Sequence, residues 1–340
     1  MMPTRAATVT TAVTAAAVCA LGAVLLGSTA APLEFRPPLG PGTRLLVFAP
    51  HPDDEALGAA GLIQRVLTSG GSVRVALMTS GDAFSEGVET ETHVRRPGPR
   101  DYRGYGDLRE RETTAAMRIL GVDRAHILFL GFPDGGLCLI ASKYLSAKAV
   151  AYRSPYTGRI APEASEQMIR GVSYRGTDIR REVESILTSY RPTLIAVPNR
   201  EDRHPDHCAT PIFVHEALEA VAGPAHLTPR VLRYLIHDDN WPPLDEARDE
   251  PLREPPNIPS GNGVWRTLPL TSLEAATKQR ALEAYASQWL VIGKLLHAFE
   301  RPNELFVEGW TMKSPPCWCD SSRVATEPRP SSHQRGAPRP

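Results

Sequence analysis

Two short apolar runs in this chain each stop at a proline and lead within a few residues into His-Pro-Asp. The first is Leu45-Leu46-Val47-Phe48-Ala49-Pro50, followed by His51-Pro52-Asp53-Asp54-Glu55. The second is Leu194-Ile195-Ala196-Val197-Pro198, followed by Asn199 to His207, which ends in His204-Pro205-Asp206-His207. Each run has the length and composition of a buried strand. A helical pattern follows each, from Ala56 to Ile63 through small residues and again from Thr210. Two matched strand–loop–helix units, with ionisable side chains at the ends of both strands, describe an α/β sheet. In open sheets of that class ligands bind at the carboxyl edge of the strands.

The residue types are chemically pointed. His51 and Asp54, three residues apart in one loop, can reach the same divalent ion. Asp53 stands between them and can serve as a base toward water. Taken alone, Pro-Asp-Asp-Glu is also ordinary helix-start chemistry, with an Asp cap and acids at the positive end of the helix. A second His-Pro-Asp in the matching position decides for a site.

The pair Ala-Pro-His-Pro-Asp-Asp-Glu and His-Pro-Asp-His resembles the zinc-dependent deacetylases of the PIG-L/LmbE type, which act on N-acetylglucosamine-containing compounds. The resemblance spans roughly residues 43 to 300. Thr79-Ser80-Gly81-Asp82 resembles the loop after the second strand, where the family more often has Glu than Asp. Arg109-Glu110-Arg111-Glu112 with Leu120-Gly121 resembles the next helix, and Gly131-Phe132-Pro133-Asp134-Gly135 the loop after the third strand. Lys278 with Ser287-Gln288 resembles the C-terminal helix, with Tyr285 where a His is common.

The resemblance implies a single Rossmann-like, doubly wound and mostly parallel sheet over residues 43–313. It implies one zinc ion, or another divalent metal, held by His51, Asp54 and His207. Two His and one carboxylate leave a fourth position open, as catalytic rather than structural zinc sites do. Asp53 would be the base. His204, positively charged or hydrogen-bonding, would stabilise the oxyanion and in its protonated form could supply a proton to the departing amine, with Asp206 orienting it or holding its charge. Asp82, Arg109 and Glu112 are candidates for holding substrate hydroxyls, although Arg109 and Glu112 could equally be an i,i+3 surface pair. The substrate would be a small-molecule or glycolipid amino sugar. Two other classes stay open: a metal-dependent phosphoesterase, which usually carries two ions and bridging carboxylates, and a non-catalytic carbohydrate-binding protein.

Composition excludes other functions. With 38 basic and 38 acidic residues in 340, the chain has no basic excess to serve a nucleic acid. No Gly-x-Gly-x-x-Gly follows the first strand, so nothing supports a dinucleotide. Between Arg5 and Glu34 there is no charged residue. Residues 1–31 therefore read as an export signal or membrane anchor, placing the protein outside the cytoplasm. A Pro-rich linker at 32–42 follows, and residues 314–340 read as a disordered tail.

Within the main domain, residues 80–106 read as a long loop and residues 131–176 as an irregular, Tyr-rich insertion. Residues 238–263 read as a surface excursion, Val264–Leu270 as a last strand, and Leu273–Phe299 as one amphipathic helix. Five cysteines show no disulfide framework. Cys208, beside His207, is not read as a ligand.

Overall fold

The computed structural model describes residues 33–35, 38–256, 258, 264–309 and 317. The expected leader lies outside them, as does the expected tail apart from Cys317. Eight strands form one sheet: β1 (Leu33–Glu34), β2 (Arg44–Ala49), β3 (Ser72–Thr79), β4 (Ile127–Phe132), β5 (Leu194–Pro198), β6 (Arg230–Tyr234), β7 (Val264–Pro269) and β8 (Asn303–Glu308). Their spatial order is β1-β7-β8-β6-β5-β2-β3-β4. Strands β4, β3, β2, β5 and β6 run parallel, and β8 is antiparallel to both of its neighbours.

The order reverses at β2. From β2 the chain first builds outward through β3 and β4, then returns to lay β5 and β6 on the other side. The ends of β2 and β5 are therefore neighbours at a topological switch point, and both His-Pro-Asp motifs begin there.

Strand β2 is apolar throughout because both of its faces are covered. Leu45, Val47 and Ala49 pack on one side with helix α1 (Asp54–Thr68); Leu46 and Phe48 face α5 (Gly176–Tyr190) and α6 (Pro205–Ala225). Helix α1 lies close to the sheet through its small residues. A Cβ added at Gly58 would come within 2.5 Å of the Tyr234 ring, whose hydroxyl donates to the Phe48 carbonyl at 2.7 Å.

Several local expectations differ from the structure. The 80–106 stretch holds helix α2 (Ser85–Thr92), and α3 (Pro99–Ile119) begins well before Asp107. Pro99 at the first turn suits a helix start, and the Asp101 carboxylate accepts the Gly98 N–H at 2.7 Å. The insertion contains α4 (Leu137–Lys143). The expected single C-terminal helix is two, α7 (Ser272–Glu283) and α8 (Ala286–Ala298), parted at Tyr285, which has left helical geometry (φ −86°, ψ 59°).

Part of the expected linker is β1, paired with β7. Strand β8 is also new. Its buried Glu304 reads as polar in sequence but is fully satisfied here, accepting Gly61 N–H at 2.8 Å, Leu62 N–H at 3.1 Å and Lys278 Nζ at 2.9 Å. Cys208 on α6 is disulfide-bonded to Cys317, 109 residues away, and Cys138 on α4 is also disulfide-bonded.

Candidate active site

Asp53 leaves β2 with φ +114°, a left-handed conformation that side chains other than Gly seldom adopt. That turn brings His51 and Asp54 to the same point above the sheet. His204 ends the β5 loop and caps α6: its Nδ1 accepts the Asp206 backbone N–H at 3.2 Å. Pro205 opens the helix, and His207 follows within its first turn.

Three electron-rich atoms converge. His51 Nδ1 is 3.2 Å from Asp54 Oδ2 and 3.2 Å from His207 Nε2, and His207 Nε2 is 3.0 Å from Asp54 Oδ2. The other ring nitrogens face carboxylates. His51 Nε2 lies 3.2 Å from Asp134 Oδ1 and 3.3 Å from Asp206 Oδ2, and His207 Nδ1 lies 3.2 Å from Asp202 Oδ2. A carboxylate can only accept, so the outer nitrogens donate to their carboxylates and the inner ones are left facing each other and Asp54. Positive charge between the three atoms, from ring protons or from a metal ion that displaces them, reconciles such distances. Around a tetrahedral ion with bonds of about 2.0–2.2 Å, donors sit roughly 3.3 Å apart. His51, Asp54 and His207 therefore fit a metal.

Overlapping groups also approach ligand spacing: His51 with His204 and His207, Asp202 with His207 and His237, and His51 with Asp134 and Asp206. The set containing Asp54 brings its three ligand atoms within 3.0–3.2 Å of one another.

The electrostatics follow. Burial opposes charge on both rings. The carboxylates nonetheless outweigh it, Asp134 foremost at His51, whose pKa is raised well above the usual value. Asp202 and Asp54 raise His207 to about 9. Burial would raise Asp54, but His207 and His51 hold it far below the ordinary range. In the metal-free protein, protons on the two rings occupy the place of the cation.

Asp53 is 5% exposed and lines the same cavity. Burial pushes its pKa to about 7 against the pull of Arg109, whose Nη2 lies 3.1 Å from Asp53 Oδ2. Arg109 also donates to the carbonyls of Gly81 at 2.9 Å and Pro52 at 2.6 Å. It thus braces the strained turn. Gly81 (φ +64°) is required here, since a Cβ would fall 2.0 Å from the guanidinium.

Of the two states expected for His204, the contacts favour the hydrogen-bonding one. Its Nδ1 accepts a backbone N–H, so the ring proton sits on Nε2. Burial, and then the neighbouring His51 and His207, hold its pKa well below the usual value. In this geometry the ring keeps one donor, Nε2–H, for the cavity. Nor does the Asp206 carboxylate serve His204: it accepts the N–H groups of Gly135 at 2.7 Å and Leu137 at 3.0 Å and faces His51.

The three substrate candidates separate. Arg109 lines the cavity. Asp82 lines a different chamber of about 200 Å³ with Glu110 and Glu166, where burial and then Asp134 and Glu166 raise its pKa to about 8. Glu112 accepts both the backbone N–H and the hydroxyl of Ser287 at 2.7 Å, joining α3 to α8.

Sequence reasoning gave no role to Asp134, Asp202 or His237. The first follows β4 and the last follows β6, so position at the carboxyl edge was a usable signal for both. Asp202 is fully buried. It receives the N–H groups of His204 at 2.9 Å, Ile236 at 2.9 Å and His237 at 3.0 Å.

The cavity at this edge is about 410 Å³, with His51, Asp53, Arg109 and His204 in its polar wall and Leu57, Phe84, Ile292 and Leu295 in its apolar wall. Fold and site together define an α/β protein with a metal-capable His/Asp centre at the switch point of its sheet. Residues 46–218 match the family profile described as PIG-L, GlcNAc-PI de-N-acetylase, and the chain belongs to that family.

A relative from Corynebacterium glutamicum, 1D-myo-inositol 2-acetamido-2-deoxy-alpha-D-glucopyranoside deacetylase, is 26% identical over 267 residues, covering 75% of this chain and 78% of its own. A protein of the same name from Mycobacterium sp. is 28% identical over 182 residues, covering 52% of this chain and 50% of its own. Among solved structures, the zinc-inhibited form of teicoplanin deacetylase Orf2 superposes with a TM-score of 0.50 at 17% identity, covering 80% of this chain and all of that one. At that identity the likeness speaks to the fold.

Proposed function

We propose that this protein is a zinc-dependent deacetylase that hydrolyses the N-acetyl amide of an N-acetylglucosamine-type substrate. The observation that carries the reading is the convergence of His51 Nδ1, Asp54 Oδ2 and His207 Nε2 beside the cavity-lining carboxylate of Asp53. A bound zinc ion supplies Lewis acidity, polarising the amide carbonyl and making water more acidic. The remaining work belongs to the chain. Asp53 takes the proton of the attacking water on its carboxylate and passes it to the departing amine nitrogen. Arg109 holds that carboxylate and its turn. The Nε2–H of His204 donates to the carbonyl oxygen as negative charge develops there. Asp134, Asp206 and Asp202 keep the two ligand rings in the required tautomer and orientation. Leu57, Phe84, Ile292 and Leu295 exclude bulk water from one side of the cavity.

The test pairs metal analysis with acetate release from an N-acetylglucosamine substrate. One zinc per chain with acetate release is expected, and His207→Ala should lose both. Two metals with phosphate release, or full zinc occupancy in His207→Ala, would overturn the reading.

We also infer that the protein works outside the cytoplasm. The uncharged stretch between Arg5 and Glu34 supports this. So does the Cys208–Cys317 disulfide, since such bonds persist in oxidising compartments. Recovery of the full chain from cytosol with its first 31 residues intact would refute it. Among the described residues no helix is long and apolar enough to cross a membrane.

A further inference from the structure

Each polar group of Asp53 is held by a different part of the fold. Its carbonyl accepts the N–H groups of Ala56 and Leu57, both at 2.9 Å, and so opens α1. Its carboxylate receives Arg109 of α3 at 3.1 Å. Its backbone N–H donates to Glu55 Oε2 at 3.2 Å. The other oxygen of that glutamate, Oε1, receives the hydroxyl of Tyr285 at 2.5 Å. Tyr285 stands 230 residues further along the chain, at the break between α7 and α8.

Glu55 and Tyr285 are both fully buried. A carboxylate is costly to bury unless its oxygens find partners. Water or a short polar side chain can satisfy an N–H at a helix start, so capping α1 does not by itself call for a buried pair. What the pair adds is a fixed link from the turn at Asp53 to the C-terminal helices. A left-handed residue other than Gly persists only where its surroundings over-determine it, and Asp53, at φ +114°, is such a residue.

The link closes into a ring. Glu112, one turn beyond Arg109 on α3, accepts the backbone N–H and the hydroxyl of Ser287, two residues after Tyr285. From Arg109 the ring runs through Asp53, Glu55 and Tyr285 to Ser287, then returns through Glu112 to α3. All six members are buried. Arg109 and Asp53 line the cavity, whereas Glu55 and Tyr285 do not.

We propose that Glu55 and Tyr285 are positioning residues for the base. The hydroxyl of Tyr285 fixes the Glu55 carboxylate, Glu55 fixes the Asp53 N–H, and the Asp53 carboxylate is thereby aimed into the cavity. The inference rests on the deacetylase reading and adds the frame that its base requires. Such a frame matters because a displacement of about 1 Å at a reacting group can cost 10²-fold in rate.

The experiment uses the zinc-loaded full chain with N-acetylglucosamine as substrate. Tyr285→Phe keeps the ring and drops only the hydroxyl. It should lower kcat by about tenfold and leave KM and zinc content unchanged, since neither substrate binding nor metal ligation passes through the base. Glu55→Ala should cost about 10²-fold in kcat. Glu55→Gln should recover part of that, because its amide can accept the Asp53 N–H and donate to the Tyr285 oxygen. Adding Tyr285→Phe to Glu55→Ala should cost nothing further, as the hydroxyl acts only through the carboxylate. Hydrogen exchange should show the Asp53 amide opening faster in Tyr285→Phe than in the unmodified chain.

Unchanged kcat in Tyr285→Phe would overturn the proposal, as would a loss carried by KM or by zinc content, which a general loosening of the fold gives. So would a Glu55→Gln variant no better than Glu55→Ala, or independent losses that multiply in the double variant. Should Glu55→Ala fail to fold, Tyr285→Phe decides alone. Absence of acetate from the unmodified chain would instead sink the deacetylase reading. Hydrogen exchange then still decides the link: a faster Asp53 amide in Tyr285→Phe supports it, and an unchanged one refutes it.

Discussion

The carboxylate of Asp206 lies 3.3 Å from Nε2 of His51, so the second His-Pro-Asp motif holds the metal-facing ring of the first. The same carboxylate accepts two backbone N–H groups from the loop after β4. One side chain thus locks three strand ends into a single site. Asp134 backs the same ring nitrogen from that third loop.

Asp206→Asn should retain the fold, because the amide oxygen can still accept a backbone N–H. It should weaken zinc binding by roughly 10–100-fold, the usual effect of losing a carboxylate behind a ligand imidazole. Competition with a chelator measures this. Unchanged affinity would mean that Asp134 alone fixes the His51 ring.

Zinc affinity should depend steeply on pH. His207 has a pKa raised to about 9 without metal, and His51 is raised as well. Zinc must displace these protons. Below the raised values affinity should therefore fall by about tenfold per pH unit for each proton displaced. Acid should release the metal, and the pH dependence should level off once both rings are neutral. Titrations across pH 6 to 9 that show constant affinity would contradict the ligand assignment.

Asp53→Asn should keep zinc and lower kcat by about 10²–10⁴-fold, since an amide cannot take a proton. Asn tolerates a left-handed backbone better than most residues, so the turn at φ +114° should survive. Asp53 acts only when ionised. Its pKa of about 7 without metal places the acid limb at or below neutrality, because a bound cation would pull it lower. Activity should rise with pH along that limb. Near-normal turnover in the variant would move the role of base to another group, with Glu55 the first to examine.

His204→Ala should keep zinc and cost about 10²–10³-fold in kcat, as for one lost oxyanion donor. His204→Gln, which retains a donor, should recover part of that. The ring is neutral and its proton sits on Nε2, so removing it should leave the basic limb of the pH–rate profile unchanged. A flattened basic limb in His204→Ala would show instead that the protonated ring is the working form.

The parallel sheet and the six residues of the two motifs were readable because each motif lies within a dozen residues of its own strand. Apolar runs of strand length, prolines that end them and helix starts that follow are local features. They carried the positions of β2, α1, β5 and α6 and the grouping of His51, Asp53, Asp54, His204, Asp206 and His207 at one edge. The errors were local too. The helix start at Gly98-Pro99 lay hidden in a Gly- and Pro-rich stretch, and β8 was masked by the polar Asn303 and Glu304.

What the sequence by itself determined is therefore the fold class and the chemistry of the edge: which strands end in ligating side chains, and which residue types stand there. The tertiary structure decided how those side chains are held. Asp134 became a partner of His51, and the Ile236 and His237 N–H groups partners of Asp202, only when β4, β2, β5 and β6 were placed side by side. Tyr285 became the buried hydroxyl against Glu55 only when the chain between α7 and α8 broke over α1. Cys208 found Cys317 across 109 residues. Spacing along a chain limits only near neighbours; partners 69 to 230 residues apart are set by strand order and by the side of the sheet on which each crossover packs.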